Sequence, residues 1–276
     1  MCETCGCGNP DEFRIIDNRN SEMAKWRNGE NYEHEHDGHR HSHSHSDPHH
    51  HHPQKVINLN MDVLSENNRL AERNRGWFEG KQVLCLNMVS SPGSGKTTIL
   101  ERTIKSLIST HKIFVIEGDQ QTSRDAERIE RSGAQAVQIN TGSGCHLDAK
   151  MVYLALKKME VDNNSILFIE NVGNLVCPAL FDLGEQKRVV IISVTEGDDK
   201  PLKYPYMFQS SNLCIINKTD LLPYVDFSVE NAVQYARQLN PDLEFILMSA
   251  KKGEGMAEWY QWLKNIVTLS DQIKLP

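Results

Sequence analysis

The chain has 276 residues, with 37 acidic against 30 basic side chains and a formal net charge of -7. That balance excludes a protein that holds nucleic acid by neutralising phosphates, which needs a basic surface. No apolar run approaches the roughly 20 residues of a transmembrane helix, and the acidic start (Glu3, Asp11, Glu12) has no apolar stretch behind it, so neither a membrane span nor a signal peptide is expected.

The expected location is cytoplasmic, where thiols stay reduced, so the 7 cysteines read as ligands or small buried hydrophobes rather than a disulfide frame. Residues 1–10 form a first unit, "MCETCGCGNP", in which Cys2, Cys5 and Cys7 make a C-x-x-C-x-C motif. Gly6 lets the chain turn tightly round one ion, and three thiolates with a terminal or backbone nitrogen supply four donors. A square-planar arrangement of those soft donors suits Ni²⁺, and tetrahedral closure suits Zn²⁺. Residues 11–55 are poor in apolar side chains and contain a histidine tract at 34–53, so they are expected to be disordered, with the imidazoles offering many weak metal sites. From 56 to 80 a linker helix is expected, with an amphipathic stretch around 63–78 (Val63, Leu64, Leu70, Ala71, Trp77, Phe78) packed on the globular part C-terminal to it.

Residues 81–276 alternate apolar strand candidates with helical stretches. The strands are "QVLCLNMV", "KIFVIEGD", "QAVQIN", "SILFIENV", "RVVIISVTE", "LCIINK" and "EFILMSA"; the helices fall at 96–109, 123–132, 146–160, 228–239 and 256–267. Unbroken apolar runs suit strands covered on both faces, which predicts an α/β domain with a mainly parallel sheet. Ligands in such sheets bind at the carboxyl ends of the strands, and the polar motifs all sit there.

The first strand runs into "SSPGSGKTT". Gly93, Ser94 and Gly95 let backbone N–H groups face phosphate oxygens at the start of a helix, with Thr98 inside its first turn. Lys96 is expected at the β- and γ-phosphates and the Thr97 hydroxyl at Mg²⁺. Ser90 stands where such loops usually begin with glycine, which questions the backbone angle there. Later, "NKTD" places Asn217, Lys218 and Asp220 as a guanine reader. A carboxylate accepts from guanine N1–H and its amine, donors that adenine lacks, and such sites discriminate by about 10⁴-fold or more. Ser249, Ala250 and Lys251 form a second candidate guanine-side loop. The expected ligand is therefore GTP, with GDP as product. Asp119 and Glu170 each end a strand beside the phosphates and are read as Mg²⁺-side residues, either of which could orient the attacking water. No glutamine or arginine finger is identifiable, so intrinsic hydrolysis is expected to be slow.

Cys85 and Cys214 lie inside apolar strands and read as inert core. Cys145 and His146 come just after a glycine turn at an expected helix start, and Cys177 lies seven residues after Glu170. A helix start favours thiolate, and two thiolates with an imidazole suit Zn²⁺ or Ni²⁺, although a satisfied structural Cys–His pair is the plainer reading of that spacing.

In this order, "MCETCGC", the histidine tract, "SSPGSGKTT", "EGDQQT", "GSGCHLDA", "ENVGNLVCP" and "NKTD" resemble the hydrogenase nickel-incorporation GTPases, the HypB family. The resemblance implies a P-loop GTPase domain of the class shared by metallochaperone and dimerising NTPases. It implies nickel insertion into the [NiFe]-hydrogenase large subunit. Cys2, Cys5 and Cys7 match the family's N-terminal nickel motif. Cys145, His146 and Cys177 match its G-domain site for nickel or zinc, near a nucleotide-dependent homodimer interface. Implied partners are a small zinc-containing maturation protein and, for some members, a nickel-storing prolyl isomerase. The alternatives are a nickel storage protein, or a nickel or zinc GTPase serving another enzyme such as urease; the C-x-x-C-x-C motif argues against the latter.

Overall fold

The computed structural model describes residues 13–16, 24–25, 54–120 and 124–272. The expectations for Cys2, Cys5, Cys7 and the histidine tract lie outside these residues. In chain order the elements are β1 (Arg14–Ile16), β2 (Ala24–Lys25), α1 (Gln54–Lys81), β3 (Leu84–Ser90), α2 (Lys96–Leu107), β4 (Ile113–Asp119), α3 (Arg124–Arg131), β5 (Gln135–Asn140) and α4 (Ala149–Lys158). They continue with β6 (Ile166–Glu170), β7 (Lys187–Ser193), α5 (Lys200–Lys203), α6 (Pro205–Gln209), β8 (Leu213–Asn217), α7 (Val229–Leu239), β9 (Glu244–Leu247) and α8 (Met256–Gln272).

All seven expected strands form, in the order β5-β4-β6-β3-β7-β8-β9, each parallel to its neighbour. Alternate side chains of each strand feed opposite faces, as the two-residue period requires. On one face Leu86, Met88, Val115, Phe168 and Ile191 pack under α2, α3 and α8, where Trp259 is fully buried. On the other, Cys85, Ile116, Val137 and Ile169 pack against α1 and α4, while Val190, Ile192, Cys214 and Ile216 pack against α6 and α7. Both faces are dry, which is why the strands read as continuous apolar runs. Among the described residues, no helix is long and apolar enough to cross a membrane.

Three expectations are corrected. First, the segment 11–55 was expected to carry no structure, yet β1 pairs antiparallel with β5, Ile15 opposite Ile139, and β2 pairs antiparallel with β1. Phe13 and Ile15 are buried in the core, and Lys158 Nζ donates to the Ile15 carbonyl at 3.3 Å. A three-residue strand in a polar segment is too short to show a period. Second, the linker helix expected over 56–80 runs slightly beyond both ends, Gln54–Lys81, while it packs on the domain as expected: Ala71 and Phe78 are fully buried. Asn74 Nδ2 donates to the carbonyls of Ala149 and Leu183, and Asn67 bonds both Ala149 N and the Asp182 carbonyl. Buried amides of this kind fix one docking geometry, since each left unpaired would cost about 1–3 kcal/mol. Third, α4 starts at Ala149 and not at His146, because Asp148 takes the N-cap and accepts from Met151 N at 2.7 Å.

Candidate nucleotide and metal sites

The phosphate loop leaves β3 at Ser90 and enters α2 at Lys96. Gly93 has φ 74° and Gly95 φ 102°, in the left-handed region that glycine favours. A Cβ on Gly95 would collide with the Asn217 amide. Ser90 needs no such freedom: the described non-glycine residues with positive φ are Gln82, Asn164 and Lys218. The missing first glycine is therefore not a defect of the loop. Ser90 is buried in the strand, and its hydroxyl accepts from Lys96 Nζ at 3.3 Å and donates to the Ser91 carbonyl.

Lys96, Thr97 and Glu170 meet under the loop. Thr97 Oγ1 donates to Glu170 Oε1 at 2.6 Å, and Lys96 Nζ lies 3.9 Å from the same oxygen. Burial pushes the Glu170 carboxyl up, against the pull of Lys96 and the Thr97 hydroxyl. Its second oxygen, Oε2, is buried without a hydrogen-bond partner. A buried oxygen left unpaired beside a threonine hydroxyl suits a hard cation that takes one or two protein ligands and keeps its waters. Asp119 closes β4; its carboxylate accepts from Gln120 N at 2.7 Å, and its carbonyl accepts from Thr141 N.

Sequence reasoning passed over Glu117. It sits beside Glu170 in the parallel register of β4 and β6, on the α2 face of the sheet. Its Oε2 is buried and unpaired, and burial first, then the charge of Glu170, raises its pKa to about 9. The signal was there: a carboxylate inside the apolar run "FVIEGD". The native state thus holds a proton that the unfolded chain releases above about pH 4.5, so wild-type stability is full below that pH and falls as pH rises towards 9. In the nucleotide-free protein Glu117→Gln should add about 4–5 kcal/mol at pH 8 and nothing below the unfolded pKa. Urea unfolding of both proteins across pH measures this; a difference that stays flat with pH refutes it.

At the N-K-x-D turn, Asn217 Nδ2 donates to the Ser94 carbonyl at 2.7 Å and Oδ1 accepts from Ala250 N at 3.0 Å. One buried amide thus ties the phosphate loop to the 249–251 loop. Lys218 has φ 62°, which turns the chain sharply into the 3₁₀ turn Thr219–Tyr224. Asp220 Oδ1 accepts from Ser249 Oγ at 2.7 Å, which orients its carboxylate, and the Lys251 carbonyl accepts from Arg102 at 2.7 Å. Thr98, the next residue after Thr97 in the first turn of α2, accepts from Arg128 at its Oγ1 at 3.4 Å.

The second cluster gathers Cys145, His146 and Cys177, whose ligand atoms all lie within 4.8 Å of one another. The two Sγ atoms are 2.8 Å apart, and Cys145 Sγ lies 3.9 Å from His146 Nδ1. His146 stacks on Phe181, with centroids 4.0 Å apart and planes 27° off parallel. Burial lowers its pKa to about 4, so the imidazole is neutral and able to ligate at pH 7. Because Asp148 caps α4, the thiol of Cys145 lies outside the helix start expected to activate it. Two sulfurs and a nitrogen at this separation fit a soft or borderline divalent ion. Cys85 and Cys214 are fully buried, burial raises both thiols, and neither joins a cluster among the described residues.

A family profile described as "CobW/HypB/UreG, nucleotide-binding domain" matches residues 84–247. The hydrogenase maturation factor HypB of Escherichia coli K12 is 56% identical over 211 residues, covering 76% of this chain and 73% of that protein. Two crystal structures resemble the fold. HypB of Archaeoglobus fulgidus has a TM-score of 0.69 at 44% identity, covering 74% of this chain and 99% of that one. HypB of Helicobacter pylori in complex with nickel has a TM-score of 0.71 at 37% identity, covering 76% and 99%. With the phosphate loop, the N-K-x-D turn and the Cys–His–Cys cluster on one parallel sheet, the chain belongs to the HypB family of hydrogenase maturation factors, in the CobW/HypB/UreG group of nucleotide-binding domains.

Proposed function

We propose that the chain is a GTP-hydrolysing nickel metallochaperone that supplies the large subunit of [NiFe]-hydrogenase. The observation that carries this is the meeting of Cys145, His146 and Cys177 within 4.8 Å, on loops that follow β5 and β6 at the same carboxyl edge of the sheet as the phosphate loop. The nickel complex of the Helicobacter pylori relative supports the choice of cargo.

In this reading the loop N–H groups and Lys96 take the phosphates, and Asn217, Lys218 and Asp220 with the 249–251 loop take guanine. Thr97, Glu170 and Asp119 hold Mg²⁺, which when bound neutralises phosphate charge. Asp119 or Glu170 orients the attacking water, and with no glutamine or arginine finger the turnover is slow. Cys145, His146 and Cys177 hold nickel, or zinc in its place, beside a nucleotide-dependent homodimer interface. Cys177 rides on the segment that begins at Glu170, so hydrolysis that moves this segment loosens the ion. The tail thiols Cys2, Cys5 and Cys7 act as a carrier, working in the cytoplasm with a small zinc-containing maturation protein and a nickel-storing prolyl isomerase.

The test is nickel affinity and stoichiometry of the full chain with GTP and with GDP, for the natural protein and for Cys2→Ala, Cys5→Ala and Cys7→Ala. One ion per chain should be lost with the tail thiols, and the remaining ion should bind differently in the two nucleotide states. Equal retention with GTP and GDP would end the coupling, and failure to bind nickel stoichiometrically would end the metal role.

A further inference from the structure

We propose that Asn171 is the positioning residue through which the nucleotide controls the metal loops. This rests on the reading that GTP governs the ion at Cys145, His146 and Cys177.

The end of β6 carries two consecutive side chains to opposite faces of the sheet. Glu170 points to the phosphate side and meets Thr97 at 2.6 Å. Asn171 keeps the strand register, its N–H donating to the Met88 carbonyl at 3.0 Å, and its side chain goes to the other face. There Oδ1 accepts from both Leu147 N at 3.1 Å and Val172 N at 3.0 Å. Leu147 is the next residue after His146, so this bond pins the Cys145–His146 loop to the strand that ends at Glu170. The loop must cross the end of β4 to get there, and Gly118 makes the room: a Cβ on it would stand 2.8 Å from Leu147 Cγ.

The amide of Asn171 then ties in the other side of the metal site. Nδ2 donates to Asn87 Oδ1 at 3.3 Å, and Asn87 Nδ2 donates to Glu185 Oε1 at 3.0 Å. Burial pushes the Glu185 carboxyl up, but Arg188 and the Asn87 bond outweigh it and hold it ionised, below its usual range. Its other oxygen accepts from Leu183 N at 2.8 Å, two residues past the Phe181 ring that stacks on His146. Leu147, Asn87 and Asn171 are all buried, so no water replaces a lost partner cheaply. Only a carboxamide offers two acceptor bonds and a donor here; aspartate loses the donor and serine does not reach. A shift of β6 that re-aims Glu170 therefore moves the Leu147 N–H acceptor and the Asn87 partner together.

The experiment uses the full chain with Cys2, Cys5 and Cys7 replaced by Ala. Nickel binding is tracked by nickel–thiolate charge-transfer absorption, to which the histidine tract does not contribute. Between a non-hydrolysable GTP analogue and GDP, this protein should change nickel affinity by about tenfold. Asn171→Ala should bring the two affinities within about twofold while GTP affinity stays within about threefold of the parent. A residue with only a packing role would weaken nickel binding equally in both nucleotide states. If the parent shows no nucleotide effect, the underlying reading fails. If the parent shows it and Asn171→Ala keeps it, this inference is overturned. Should Asn171→Ala not fold, hydrogen exchange in the natural protein decides. The Leu147 amide should exchange about tenfold differently with GTP analogue and GDP, and equal protection overturns the proposal.

Discussion

Asp220→Asn is expected to weaken GTP binding by about 10³-fold and to move the preference to xanthosine triphosphate. In the proposed site the Asp220 carboxylate accepts from guanine N1–H and its 2-amine. Hydrogen bonds to a charged partner contribute about 1.5–3 kcal/mol each, so losing one, discharging the acceptor of the other and setting donor against donor costs about 4 kcal/mol, or roughly three decades of affinity. Asparagine also turns an –NH₂ towards the guanine amine, donor against donor. Xanthine carries a carbonyl there, which accepts from that –NH₂. The substitution is isosteric, and Ser249 Oγ, 2.7 Å from Asp220 Oδ1, can keep its bond to the remaining carbonyl oxygen. Folding should be unaffected, because the turn's neighbours are held by Asn217 through Ser94 and Ala250 rather than by Asp220. Fluorescent-nucleotide titrations with GTP and xanthosine triphosphate read both affinities. Unchanged GTP affinity in the variant would remove Asp220 from the base site.

The second large effect concerns the metal cluster. Joint replacement of Cys145 and Cys177 by Ala, in a chain already lacking the tail thiols, should lower nickel and zinc affinity by more than about 100-fold. Removing an outer-shell partner alone costs 10–100-fold, and here two of three direct donors go. The protein should still fold, since alanine fills most of the space of a cysteine and both positions lie outside the sheet, Cys145 in a loop and Cys177 at the start of a 3₁₀ turn. Metal-free GTP affinity should stay within about twofold, because Lys96, Thr97 and Glu170 are held by one another and by Ser90. GTP turnover should become insensitive to added nickel or zinc. Thiolate charge-transfer titration and phosphate release with and without metal measure both outcomes. Retention of tight thiolate-type binding in the double variant would show that the ion sits elsewhere.

Much of this architecture was legible residue by residue. β3 to β9 announce themselves because parallel strands buried on both faces leave no polar alternation to confuse the reading. The phosphate loop and the N-K-x-D turn are equally plain, since each needs its residue types at fixed spacing next to a strand end. Shorter or more polar features escaped. β1 has three residues, so Phe13 and Ile15 show no period until β5 is there to receive them. Arg188 and Glu185 look like surface charges in a sequence, but they form a buried pair that Asn87 completes. Glu117 looked like one more polar interruption; only its register beside Glu170 makes it a second carboxyl in the same buried corner.

By itself the sequence determined what is local: which segments are strands, where phosphate can approach a backbone, and which side chains have an acceptor to offer guanine or ligand atoms to offer a soft metal ion. Those properties depend on backbone angles and neighbours a few residues apart. The tertiary structure alone decided which loops meet. Placing β6 between β4 and β3 carries Asn171 to Leu147, and sets Cys145 and Cys177, 32 residues apart in the chain, with their sulfurs 2.8 Å from each other. Contacts of that kind arise from strand order and close packing of the whole sheet, and no spacing within a single segment encodes them.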